Sequence, residues 1–163
     1  MSKQLQARSL ARRSAVQAIY QWQLTSYDLS EIERQFIEEH GLGNADVEYF
    51  NELLHEIPKR LDEVDKALSE FIDRSIASID PVERAVLRIG AYELLFRLEL
   101  PYKVVLNECI NLAKEFGAAH GHKYINGILD RIAHKNRAVE ITAFGNKSKP
   151  GIRKKKTGES GES

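Results

Sequence analysis

The sequence predicts an all-α domain, and three observations carry the prediction. Apolar residues recur close to the helical period along almost the whole chain. Strand signals are nearly absent; residues 141–144 are the single short candidate and read as coil. Helix-starting and helix-stopping residues stand at the ends of the periodic runs. About seven helices are expected in one compact domain over 1–144, followed by a basic, disordered tail over 145–163. A chain of 163 residues fits a single domain with one core.

The first helix is expected over 7–25. At about 100° per residue, Ala11, Ala15, Ala18, Ile19 and Trp22 share one face. Arg13, Gln17 and Tyr20 share the opposite face, and Arg8 and Arg12 fall on a flank. A second helix follows over 28–40, opened by Asp28 or Ser30 and closed by Gly41. Val47, Phe50, Leu54, Ile57, Leu61, Val64, Leu68 and Phe71 then alternate three and four apart. A coiled coil would have this spacing, but two helices on one core fit better, because Pro58 removes a backbone donor inside the run.

Asp80-Pro81-Val82-Glu83 has the chemistry of a helix start: a capping acid, a proline at the first position and a capping-box glutamate. The helix that it opens, 81–98, is apolar on most of its circumference and so should be central. Its polar residues form two spots, Arg84 with Arg88 and Glu93 with Arg97, and Gly90 allows a close approach. After Pro101 a helix over 102–116 turns Val105, Cys109, Leu112, Ala113 and Phe116 to one side and stops at Gly117. A last helix over 121–136 buries Tyr124, Ile125, Ile128, Leu129 and Ile132. Gly127 inside it costs about 1 kcal/mol relative to alanine, which predicts a close helix crossing there.

Charge cancels overall, 24 bases against 24 acids, but not locally. Residues 1–13 carry +4, residues 145–163 carry +4, and the body between them −8. Contact with a polyanion is therefore expected at the ends. The N-terminus has the composition of a mitochondrial presequence, yet the helical pattern runs unbroken into Trp22 and Leu24, as a structural helix does. The lone Cys109 excludes an internal disulfide framework, and no apolar run reaches the length of a membrane span. A cytoplasmic protein is expected.

Enzyme signatures are missing: no GxGxxG, Walker A, GxSxG or HExxH pattern occurs. His120 and His122 are the only close histidine pair, and no further ligands stand at helical spacing from them. Neither a metal nor a cofactor is expected, and no catalytic residue is assigned. The better signal is an acid-free helix start that presents Arg8, Arg12 and Arg13 beside Gln17 and Tyr20. Arginine forks contact phosphates, glutamine reads base edges and tyrosine offers a stacking plate. A solvated basic face without a ligand would have the same composition.

Five collinear segments resemble the NusB family of bacterial transcription antitermination factors. They are ARRSAVQAIY at 11–20, VERAVLRIGAYEL at 82–94, PYKVVLNE at 101–108, LAKEFG at 112–117 and KYINGILD at 123–130. The resemblance implies two small helical bundles that share a core, and a non-enzymatic role. Such proteins pair with NusE, a small-subunit ribosomal protein. Together they grip single-stranded boxA RNA and nucleate an antitermination complex on RNA polymerase, notably in ribosomal RNA operons. Some members pair with themselves as homodimers.

By position, the resemblance assigns RNA contact to Arg8, Arg12, Arg13, Gln17 and Tyr20 on the first helix, and to His120, His122 and Lys123 near the last. It assigns partner contact to Glu83, Arg84 and Phe116. Ser9 and Leu10 stand where some members carry further arginines, which lowers the expected phosphate contact. Two rival readings differ in class. One is a helical protein–protein adaptor without direct RNA binding. The other is the helical domain of an RNA cytosine methyltransferase, which would need a long catalytic domain.

Overall fold

The chain opens with a long helix, α1 (Lys3–Thr25), in a computed structural model that describes residues 2–117 and 121–148. Ser2 caps α1 by accepting from Leu5 N at 3.1 Å, and Ser26 ends it in the left-handed region with φ 56°. Helix α2 (Leu29–Arg34) runs into a π-helical turn (Gln35–His40) that Gly41 closes. Helices α3 (Val47–Lys59) and α4 (Leu61–Ser69) meet at Arg60, just beyond Pro58. A short 3-10 turn (Ile76–Ser78) leads to α5 (Pro81–Phe96), then α6 (Tyr102–Glu115), α7 (Gly121–Asn136) and α8 (Ala138–Ser148).

Helix α5 is central because its sequence leaves it no polar side long enough to face water. Every residue from Ala85 to Leu94 is buried. On one side α5 meets α1 and α3, and α2 packs on those two. On the other it meets α4, α6 and α7. Two small bundles thus share one hydrophobic cluster, from Ala11, Ala15 and Ile19 through Phe50, Leu54 and Ile89 to Ile125 and Leu129. The alanines of α1 leave room for the α1–α5 crossing.

Both ends of α5 are tied down. Asp80 Oδ2 accepts from Val82 N and Glu83 N at 3.0 and 3.2 Å. At the other end Arg137 is buried and donates to the carbonyls of Glu93, Leu94, Arg97 and Leu100. A cation that bonds the last carbonyls of a helix satisfies acceptors with no partner inside it and opposes the helix dipole.

The structure departs from the sequence reading at four places in the fold. Residues 141–144 lie within α8 rather than in coil, giving eight α-helices among the described residues. Isoleucine and threonine there read as strand formers, but Glu140 anchors the turn by accepting from Tyr102 N at 2.8 Å and Arg137 Nη1 at 2.6 Å. The boundary drawn at 144/145 therefore falls inside a helix, and the tail from 149 onward lies outside the described residues. Glu93 and Arg97 do not form one polar spot as expected. Glu93 is fully buried, and Arg97 turns instead to Glu52 and Glu99 at 3.4 and 3.1 Å.

The fourth departure concerns the glycines. A Cβ on Gly90 would fall 2.6 Å from Leu129 Cδ1 and 2.9 Å from Cys109 Sγ, so α5 meets α6 and α7 closely there. Around Gly127 a Cβ would meet nothing within 4 Å, so the close crossing expected at that position is absent. Gly127→Ala is accordingly expected to stabilise the fold by about 0.4–1 kcal/mol, since it lowers unfolded-chain entropy without a clash. Urea unfolding of the two proteins measures this; a less stable variant would mean that Gly127 has a packing role.

Candidate nucleic-acid interface

The outer face of α1 faces water along its length. Arg13, Gln17 and Tyr20 are exposed, Tyr20 to 37%, and no described residue buries the row that they form. They share that face because positions three and four apart in a helix stack above one another.

Arg12 is different. It is only 2% exposed and points into the protein. Its Nε donates to Glu93 Oε2 at 2.8 Å, its Nη1 lies 3.4 Å from Glu108 Oε1, and its guanidinium stands 5.4 Å from the centre of the Tyr49 ring. The Tyr49 hydroxyl donates to the same oxygen of Glu93. Burial opposes the charge of Arg12, but Glu93, Tyr49 and Glu108 together outweigh it and hold the guanidinium above its ordinary value. Burial pushes the Glu93 carboxyl up, against the pull of Arg12 and the Tyr49 hydroxyl. Its second oxygen, Oε1, has no hydrogen-bond partner among the described residues. Arg12 therefore acts as an internal clamp between α1, α3 and α5 and offers no fork to a phosphate.

Arg8 lies between these extremes. It is half-buried, with its guanidinium 5.3 Å from the centre of the Tyr49 ring, and no carboxylate of the described residues pairs with it. It borders a cleft of about 220 Å³ between α1 and α6, with Leu5, Val104, Asn107 and Glu108. A tyrosine that supports a guanidinium from below leaves the fork free to bond outward.

Arg13 connects α1 with the far end of α6 through an ion pair to Glu115. That contact brings the exposed row of α1 to the C-terminal end of α6. Lys123 is exposed on the first turn of α7, and His122 is half-buried beside it. His120 lies outside the described residues.

The residues assigned to a partner are partly occupied at home. Glu83 packs so tightly against Gly121 that a Cβ there would overlap its carboxylate. Burial and the neighbouring Asp80 raise the Glu83 carboxyl, and Arg74 pulls it back. Arg84 Nη1 donates to the carbonyls of Ala77 and Ile79 at 3.1 and 3.2 Å, which fixes the 3-10 turn against α5. Phe116 is half-buried on the core, at the C-cap of α6.

The chain matches the NusB family model over residues 9–134. It belongs to the NusB family. A transcription antitermination protein NusB of Nitrosococcus oceani is 56% identical over 134 residues, a match that spans 82% of this chain and 90% of that one. The corresponding protein of Methylococcus capsulatus is 44% identical, over 84% of this chain and 96% of its own. Among solved structures, a T. maritima NusB superposes with a TM-score of 0.69 at 30% identity, covering 79% of this chain and 92% of that one. NusB in a structure of antitermination factors NusB and NusE with dsRNA gives 0.71 at 28% identity, over 78% and 96%.

Membership makes the chain a transcription antitermination factor and not an enzyme. Among the described residues no group of histidines, cysteines and carboxylates is arranged to hold a metal, and no helix is long and apolar enough to cross a membrane. Cys109 is fully buried, and its thiol is pushed well above the ordinary value by burial. It is a core residue of the NusB fold.

Residue spacing reveals the open row of Arg13, Gln17 and Tyr20 and misses what surrounds it. The Tyr49 platform under Arg8 and the acids on Arg12 and Arg13 come from helices far along the chain. One sign of the clamp is legible in retrospect: an acid such as Glu93 on a nearly all-apolar helix needs a buried cation.

Proposed function

We propose that this chain binds single-stranded RNA of the boxA type together with NusE, and that the pair nucleates an antitermination complex on RNA polymerase, notably in ribosomal RNA operons. The single observation that carries the reading is the solvent-open row Arg13–Gln17–Tyr20 on α1. A row with a phosphate fork, a base-edge reader and a stacking ring has the three contacts that a flexible strand uses. The family neighbour found with NusE and RNA supports both partners. The proposed surface consists of Arg8, Arg13, Gln17, Tyr20, His120, His122 and Lys123, with Glu83, Arg84 and Phe116 toward the protein partner.

With Arg12 withdrawn into the core, Arg8, Arg13 and Lys123 remain for phosphates. About three contacts give a slope of log K against log salt of roughly −2 on a single strand. Binding by the lone chain is therefore weak and salt-sensitive. A second protein on the same strand adds contact area, and each protein tightens the other by the same factor. The test is a fluorescence-anisotropy titration of a boxA-like RNA with and without NusE at several salt concentrations. Tighter binding in the presence of NusE is expected. Equal affinity in both arms would remove the cooperative model, and no RNA binding in either would favour a protein–protein adaptor.

A further inference from the structure

Helix α6 carries two acids seven residues apart, Glu108 and Glu115, on the side that meets α1. Glu108 Oε1 accepts from Ser9 Oγ at 2.9 Å and lies 3.4 Å from Arg12. Glu115 pairs with Arg13. The sequence shows an acid-free basic start to α1, but the fold brings a carboxylate to each member of its Arg12-Arg13 pair. The two pairs differ in exposure. Arg12 stays inside with Glu93, whereas the Arg13 and Glu115 side chains are 53% and 40% exposed and can part at the surface.

We propose that Glu115 is an affinity-determining residue of the RNA surface: its carboxylate competes with RNA phosphate for the guanidinium of Arg13. The inference rests on the RNA reading of the α1 face and adds how strongly that face can bind. Before a phosphate can use the Arg13 fork, the ion pair with Glu115 must open. The freed carboxylate then stays close to the incoming strand and repels it. Both effects weaken RNA binding by the unliganded protein. Exposed ion pairs are worth little in water, so the contact hinders RNA without blocking it.

Glu115→Gln removes the charge and keeps the shape. It is expected to tighten binding of a boxA-like single-stranded RNA about two- to five-fold, the equivalent of one exposed ion pair. The salt slope should steepen by about 0.7, because Arg13 then neutralises one phosphate and releases its counterion with no freed carboxylate beside it. In an Arg13→Ala background the same change should gain clearly less. Unchanged or weaker binding by Glu115→Gln overturns the proposal. An equal gain in the Arg13→Ala background also overturns it, since that is general charge repulsion and not competition. If Arg13→Ala, Arg8→Ala and Tyr20→Ala all bind RNA like the wild type, the RNA reading of this face itself has failed. Thermal melting of each variant verifies that the fold is intact.

Discussion

Arg12→Ala is expected to cost about 3–5 kcal/mol of folding stability, although the residue stands in a row of arginines that looks solvent-facing. The loss comes from what remains. Without the guanidinium, the fully buried Glu93 keeps only the Tyr49 hydroxyl on Oε2, and Oε1 has nothing. Leaving one member of a buried pair uncompensated is among the most destabilising single changes.

The pH dependence of that loss follows from Glu93. Burial already lifts its carboxyl above the ordinary value of 4.5, and removal of Arg12 lifts it further. The folded variant then holds a proton that the unfolded chain releases. Its stability falls as pH rises from about 4.5 toward the raised folded value, and the deficit against the wild type is smaller in acid than at neutrality. Urea unfolding of both proteins at pH 5 and pH 7.5 measures it, with pH values chosen about that window. A loss below about 1 kcal/mol would mean that the clamp contributes little, and a loss equal at both pH values would mean that it does not come from the charge of Glu93.

Tyr20→Ala should weaken RNA binding by about 1–3 kcal/mol, roughly five- to 150-fold, with the fold unchanged. Tyr20 is 37% exposed at the surface, so its removal opens a notch to solvent and no closed cavity. Base stacking needs the ring and not the hydroxyl, and Tyr20→Phe should therefore bind like the wild type. Binding to NusE should be spared. Loss of both partners together would point to misfolding, and unchanged RNA affinity would show that no base lies on the ring. Anisotropy with labelled RNA, alongside a pull-down with NusE, separates these results.

Helix existence was legible because it depends on local chemistry. Asp80-Pro81 opens α5 by bonds within three residues, and the alanine stripe of α1 needs only the helical period to be seen. The open row Arg13–Gln17–Tyr20 was legible for the same reason. Elements held by distant partners were not. Helix α8 forms where isoleucine and threonine suggested otherwise, because Glu140 reaches back to Tyr102. Among the glycines, composition made Gly90 and Gly127 equivalent, yet only Gly90 faces a neighbouring helix at close range.

The sequence by itself determined the helical period, the helix starts, the central place of α5 and the exposed side of α1, since each follows from the side chains within one or two turns. Tertiary structure alone decided which charges remain available on that side. Arg12 and Arg13 are neighbours in the chain, but a helix turns about 100° between them. One therefore meets Glu93 and is buried, while the other meets Glu115 and stays at the surface. The electrostatic energy of an arginine depends on the carboxylates that the fold brings to it and on the water it excludes, and neither is a property of the local sequence.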